Sequence, residues 1–155
     1  MPKIYGSKWG QGWQARLDYT TKPDELKNET EVTAKLYVYA PGPGSFNANE
    51  RGAYYIIQGG PKQYKPYRFD SAGWKYIGTR TFTVAHNGDG RKTIVLSAEW
   101  HSDNATDFTP SSLAVDKSVD LPRIPRASSV SASGLVIGSL ERCRSPVPVL
   151  NSRTS

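Results

Sequence analysis

A single cysteine, Cys143, two histidines and one methionine are all that 155 residues contain of those types. One cysteine excludes an internal disulfide and any cysteine-built zinc site. His86 and His101, with that one thiol, do not make a metal site either. No apolar run approaches the ~20 residues that a membrane-spanning helix needs, and no membrane partner is implied. The opening residues Met1-Pro2-Lys3-Ile4-Tyr5-Gly6-Ser7 lack the hydrophobic segment of a secretory signal. One-signed charge is also scarce. The net charge is +6, and residues 127–155 carry three Arg and one Glu of it, leaving +4 for the rest. The basic residues are dispersed, which describes a solvated surface better than a nucleic-acid footprint.

Aromatics and turn formers are plentiful: 4 Trp, 9 Tyr, 4 Phe, 14 Gly and 11 Pro. Many short elements joined by turns are expected, and no long helices. Alternation of apolar and polar residues marks six strands. Gly12 to Thr20 puts Trp13, Ala15, Leu17 and Tyr19 on one face. Glu31 to Tyr39 puts Val32, Ala34, Leu36 and Val38 inward and Thr33, Lys35 and Tyr37 outward. Between them, residues 22–29 are polar and turn-rich. Ala53 to Gln58 is short. Trp74 to Val84 reads with Trp74, Tyr76, Phe82 and Val84 sharing a face. Lys92 to Trp100 points Ile94, Leu96, Ala98 and Trp100 one way. Leu113 to Leu121 does so with Leu113, Val115, Val119 and Leu121, Lys117 being the exception. Asn87-Gly88-Asp89-Gly90 supplies turn chemistry that predicts a hairpin between residues 83 and 98.

This pattern predicts an all-β fold, an antiparallel β-sandwich, with a small β-barrel as the alternative. The domain is expected over residues 1–126. Leu121-Pro122-Arg123-Ile124-Pro125-Arg126 is a stiff extended exit, since two prolines cannot sit in a central strand. Residues 127–155 read as a flexible linker and an irregular tail. Residues 139–155 can be back-translated so that a neighbouring frame reads as an alternating, strand-like sequence, which raises a frameshift as the origin of that tail.

Three motifs in order resemble a family of minor structural proteins, of the tail or tail tip, in long-tailed phages of Gram-positive bacteria. An opening Trp-x-x-Arg-Leu-x-Tyr is matched by Trp13, Arg16, Leu17 and Tyr19. A Thr-Val-x-His-Asn-x-Asp-Gly turn is matched by Thr83, Val84, His86, Asn87, Asp89 and Gly90. A closing Leu-x-x-Ile-Pro-Arg-Ala-Ser is matched by Leu121, Ile124, Pro125, Arg126, Ala127 and Ser128. The resemblance runs from about residue 9 to 137 and departs at the Pro- and Tyr-rich segment Gly59 to Arg68. It implies a virion protein, made in the host cytoplasm, whose partners are other virion proteins and copies of itself.

Catalytic candidates are weak. Glu99, Asp103 and Asp107 lie near His101, but Glu99 and His101 share the face opposite Trp100, on the solvent side. His86, beside a turn, is better placed to bond local backbone than to act as a base. No catalytic residue, metal or cofactor is implied. Asn28-Glu29-Thr30 and Asn104-Ala105-Thr106 match the glycosylation pattern by chance. The segment around Gly59 to Arg68 carries the binding candidates. Tyr54, Tyr64, Lys65, Tyr67, Arg68 and Trp74 interleave rings with cations, which suits ligand or subunit contact. A host cell-wall glycan fits them, and nucleic acid fits less well. The expected function is a non-enzymatic virion building block of the tail or its tip that contributes to host attachment. A carbohydrate-binding module and a capsid decoration protein are the alternatives.

Overall fold

Alternation builds two sheets, and their inward residues build the core. The computed structural model describes residues 1–42, 46–48, 53–69, 71–102 and 109–126. The strands are β1 (Lys3–Tyr5), β2 (Gln14–Asp24), β3 (Glu29–Ala40), β4 (Phe46–Ala48), β5 (Tyr54–Ile57), β6 (Gln63–Tyr64), β7 (Tyr67–Phe69), β8 (Gly73–Ala85), β9 (Thr93–His101) and β10 (Ser112–Asp120). No helix occurs among the described residues. One sheet has the order β1-β2-β3-β8 and the other β10-β9-β5-β6, while β4 and β7 form a separate two-stranded ladder. Every pairing is antiparallel. The two four-stranded sheets do not close into a barrel. The expected sandwich is the fold.

Ala15 and Leu17 of β2 pair with Val38 and Leu36 of β3, and all four are buried. Leu96, Ala98 and Trp100 of β9 and Leu113, Val115 and Val119 of β10 supply the opposing layer. At ~25 cal/mol per Å² of apolar surface removed from water, these side chains are the main stabilising term. Lys117 stays exposed at an otherwise inward position, as its charge requires.

Two sequence expectations are corrected. The first is the hairpin. β8 pairs with β3, whereas β9 pairs with β5 and β10, so the strands on either side of the Asn-Gly-Asp-Gly turn lie in different sheets. The turn is a corner between layers. Turn residues fix a reversal of the chain, but only pairing partners decide which sheet each arm joins. Gly90 supplies the positive φ, at 85°. Asn87 N donates to the Arg91 carbonyl at 2.9 Å and Gly90 N to the Asn87 carbonyl at 2.8 Å.

The second correction concerns β8. The register slips between Leu36 and Tyr37, so Leu36 pairs with Gly78 and Tyr37 with Tyr76. Ile77 is the extra residue of this bulge and is fully buried. A slip of one residue exchanges the faces of a strand. Phe82 and Val84 therefore pack on the core while Trp74 and Tyr76 face outward. They do not share a face.

β2 and β3 also run further than their apolar patterns, leaving the turn at residues 25–28. There Asn28 adopts a φ of 53°. β1 is new, since three residues with one inward side chain, Ile4, carry too little alternation to be seen. The first compact unit ends at Ile124. The extended exit is fastened to the corner: Leu121 N donates to the Lys92 carbonyl and Ile124 N to the Gly90 carbonyl, both at 2.9 Å, and Ile124 is buried. The tail and the frameshift expectation lie outside the described residues, as do Asp103, Asn104 and Asp107.

Candidate functional site

The outward face of the β1-β2-β3-β8 sheet gathers an unusual set of side chains. Tyr5 pairs with Arg16, Arg16 with Tyr37, and Tyr37 with Tyr76, so the four lie in one row across the sheet. Gln14, Tyr39 and Trp74 make the next row. The bulge at Ile77 is what delivers Trp74 and Tyr76 to this side.

Asp18 organises the centre. It is 3% exposed and accepts from Arg16 Nε at 2.7 Å, Arg16 Nη2 at 3.1 Å and Lys3 Nζ at 3.0 Å. This two-pronged pairing fixes the guanidinium plane. The guanidinium carbon then lies 4.4 Å from the Tyr37 ring centre and 4.5 Å from that of Trp74. Such contacts contribute about 0.5–1 kcal/mol each at exposed sites. Around it the rings meet at steep angles: Tyr39–Trp74 at 5.2 Å and 67°, Tyr37–Tyr76 at 5.7 Å and 66°, Tyr5–Trp74 at 6.0 Å and 59°. Tyr5 and Tyr76 are each 49% exposed.

A smaller cluster occupies the other sheet's outward face. Tyr54 stacks on His101 at 4.5 Å and 15°, meets Tyr64 at 5.5 Å, and has Lys62 Nζ 4.6 Å from its ring centre. His101 Nε2 is 2.7 Å from Glu99 Oε1, and Glu99 is exposed. This exposed pair on the solvent side is the one expected from the strand pattern.

Of the six sequence candidates, Tyr54 and Tyr64 therefore come together, but apart from Trp74. Lys65 joins the Trp74 side: its Nζ lies 5.7 Å from the Tyr76 ring centre and donates to the Ile77 carbonyl at 3.4 Å. Tyr67 and Arg68 belong to β7, and their side chains lie outside the described residues. Sequence reading missed Arg16, Tyr5, Tyr39 and Tyr76 as site residues. For Arg16 and Tyr39 the signal was present, as a cation and a ring at outward positions of well-marked strands; Tyr5 lies on the unmarked β1, and Tyr76 faces outward only because of the bulge.

His86 is structural. Its Nδ1 is 2.7 Å from the Gly90 carbonyl oxygen, which can only accept, so Nδ1 carries the proton. Its Nε2 is 2.6 Å from the hydroxyl of Thr30, which is fully buried. Both ring nitrogens are used in holding the corner. A polar hollow of about 490 Å³ surrounds the exposed β2–β3 turn and is lined by Lys22, Asp24, Lys27, Glu29 and Glu31 among others. Among the described residues no three His, Cys, Asp or Glu side chains are grouped to hold a metal.

Tyr55 points inward beneath the bulge. A Cβ on Gly78 would meet its ring at 2.2 Å, so Gly78 is where the two sheets come together. Burial, and then the Tyr76 hydroxyl, raises the Tyr55 pKa above its ordinary 10.0. A pKa raised in the folded state adds stability that is intact below the unfolded value and is lost as pH rises through the folded one. An ultraviolet titration should show one tyrosine ionising later than the rest. Tyr55→Phe should remove that step and flatten the alkaline loss of stability.

A comparison with known protein families finds a match. Residues 75–144 fit the model of a family described as "Siphovirus protein of unknown function (DUF859)". The fit takes in β8 from Lys75 onward, the corner, β9, β10 and the closing motif, and agrees with the phage resemblance carried by the turn and closing motifs. It names no host. No curated protein matches the chain, and neither does any solved structure. The match points to a phage protein, and the fold described above is β-rich.

Proposed function

We propose that this chain is a non-enzymatic building block of a siphovirus tail or tail tip that contributes to host attachment. The observation that carries the reading is the siphovirus family match over residues 75–144, which spans the corner and its flanking strands. The chemistry of the corner supports it, since His86 is committed at both nitrogens to the backbone and to Thr30. The outward aromatic face supports the attachment part, because contiguous exposed apolar surface on a soluble protein marks an interaction site. The mechanism is then assembly: the sheets hold a rigid frame, and outward faces and loops meet neighbouring subunits or the cell wall.

Electron microscopy of intact virions labelled with gold-conjugated antibodies against this chain tests it. Label at the tail or its tip is the expected result. Label over the capsid would make the chain a decoration protein, and unlabelled virions would overturn the virion reading altogether.

A further inference from the structure

An antiparallel sheet that covers a core on one side ordinarily offers polar residues to water on the other. The β1-β2-β3-β8 sheet departs from this at one end. Its row of Tyr5, Arg16, Tyr37 and Tyr76 crosses all four strands, a span of about 14 Å at ordinary strand spacing. The core beneath is already filled by Leu17, Leu36 and Val38. Folding does not call for rings on the far side.

Charge at this end of the face is nearly one-signed; Asp24, Glu29 and Glu31 lie at the other end, beside the β2–β3 turn. Lys3, Arg16 and Lys35 occupy outward positions at the first end, and Lys65 reaches over Tyr76. Asp18 is the lone carboxylate across these rows among the described residues. It is buried beneath two cations, so its charge is spent internally.

Rings beside cations can serve sugars, nucleobases or a second protein surface. Nucleobases stack flat on open ring faces. Here Arg16 lies over the faces of Tyr37 and Trp74, and neighbouring rings are inclined by 59–67°. A second copy whose two-fold axis passes through these rows would set Lys3, Arg16 and Lys35 against their own counterparts. Sugars differ on both counts. Their C–H faces carry slight positive charge that suits the negative face of a ring, and their puckered outline fits inclined rings. Phosphate or carboxylate groups along a sugar polymer would meet the lysines.

The geometry points to an acidic glycan, a sugar polymer bearing phosphate or carboxylate groups, lying across this row. Tyr5 and Tyr76 bear on the sugar faces, and Lys35 pairs with the acidic groups. This deepens the attachment reading above and rests on it. The virion labelling and the test that follows can fail separately, since binding is measured on the isolated chain.

The full chain is titrated by calorimetry with four polymers: a poly(glycerol phosphate) teichoic acid whose glycerols carry sugar substituents, hyaluronan, neutral dextran and oligo-dT. Binding to the teichoic acid alone assigns phosphate, and binding to hyaluronan alone assigns carboxylate. The Tyr5→Ala/Tyr76→Ala variant should weaken that binding about tenfold or more, which corresponds to ~1.4 kcal/mol. Both rings are half-exposed, so its thermal transition should stay close to the parent's. Lys35→Gln, a milder change, should weaken binding in the same direction. Failure to bind either acidic polymer overturns the proposal, as does equal binding of dextran. Preference for oligo-dT, or a dimer in sedimentation that the double variant abolishes, would assign the face to nucleic acid or to self-association instead.

Discussion

Trp100→Ala is expected to remove about 3–5 kcal/mol of stability, enough to lower the melting temperature by roughly 10–20 °C. Trp100 is fully buried, pairing with Tyr55 of β5 on one side and Leu113 of β10 on the other. It is the largest of the fully buried side chains. Strands on both flanks are held by hydrogen bonds, so they cannot collapse far into the space left behind. Domains of this size are stable by only ~5–15 kcal/mol, so a single truncation removes a large fraction. Calorimetric melting of the purified variant reads the effect directly. A fall of only a degree or two would mean that the two sheets close over the gap.

Gly6→Ala is expected to detach β1 while leaving β9 and β10 paired. An added Cβ would lie 2.0 Å from the Ala114 carbonyl oxygen, and backbone cannot swing aside as a side chain can. Overpacking of this kind costs about 1–3 kcal/mol. The Gly6 amide, which donates to the Ala15 carbonyl, and the Tyr19 amide, which donates to the Pro2 carbonyl, should lose protection from hydrogen exchange. Amides of β9 should keep theirs. Tyr5 adjoins Gly6, so the aromatic row should lose its first member. Unchanged exchange at Gly6 and Tyr19 would show that β1 tolerates the shift.

Strands with one buried and one wetted face announced themselves in the sequence. Ala15, Leu17 and Tyr19, Val32 to Val38, and Ile94 to Trp100 were legible because burial repeats at every second residue. What alternation does not encode is pairing. Thr83 to Ala98 therefore read as a hairpin, although β8 and β9 belong to different sheets. Nor does alternation signal a bulge. Ile77 looks like any strand residue, yet it shifts Trp74 and Tyr76 to the opposite face from Phe82 and Val84. The site inherited both blind spots. Tyr54, Tyr64, Lys65 and Trp74 were picked as a local segment, whereas the rows that meet in space come from β1, β2, β3 and β8. Arg16 and Tyr37 lie 21 positions apart and are direct partners only through register.

The fastening of the exit strand has a mechanical consequence. β10 is an edge strand, and a pull on its free end would ordinarily unzip it one hydrogen bond at a time. Here Leu121 N holds the Lys92 carbonyl, Ile124 N holds the Gly90 carbonyl, and Arg123 Nε holds the Asp89 carbonyl at 3.1 Å. Tension entering at Pro125 is met first at the corner that joins β8 to β9. These contacts must open before the ladder of β9 and β10 is reached, so the end of the edge strand is closed by the same corner that joins the two sheets.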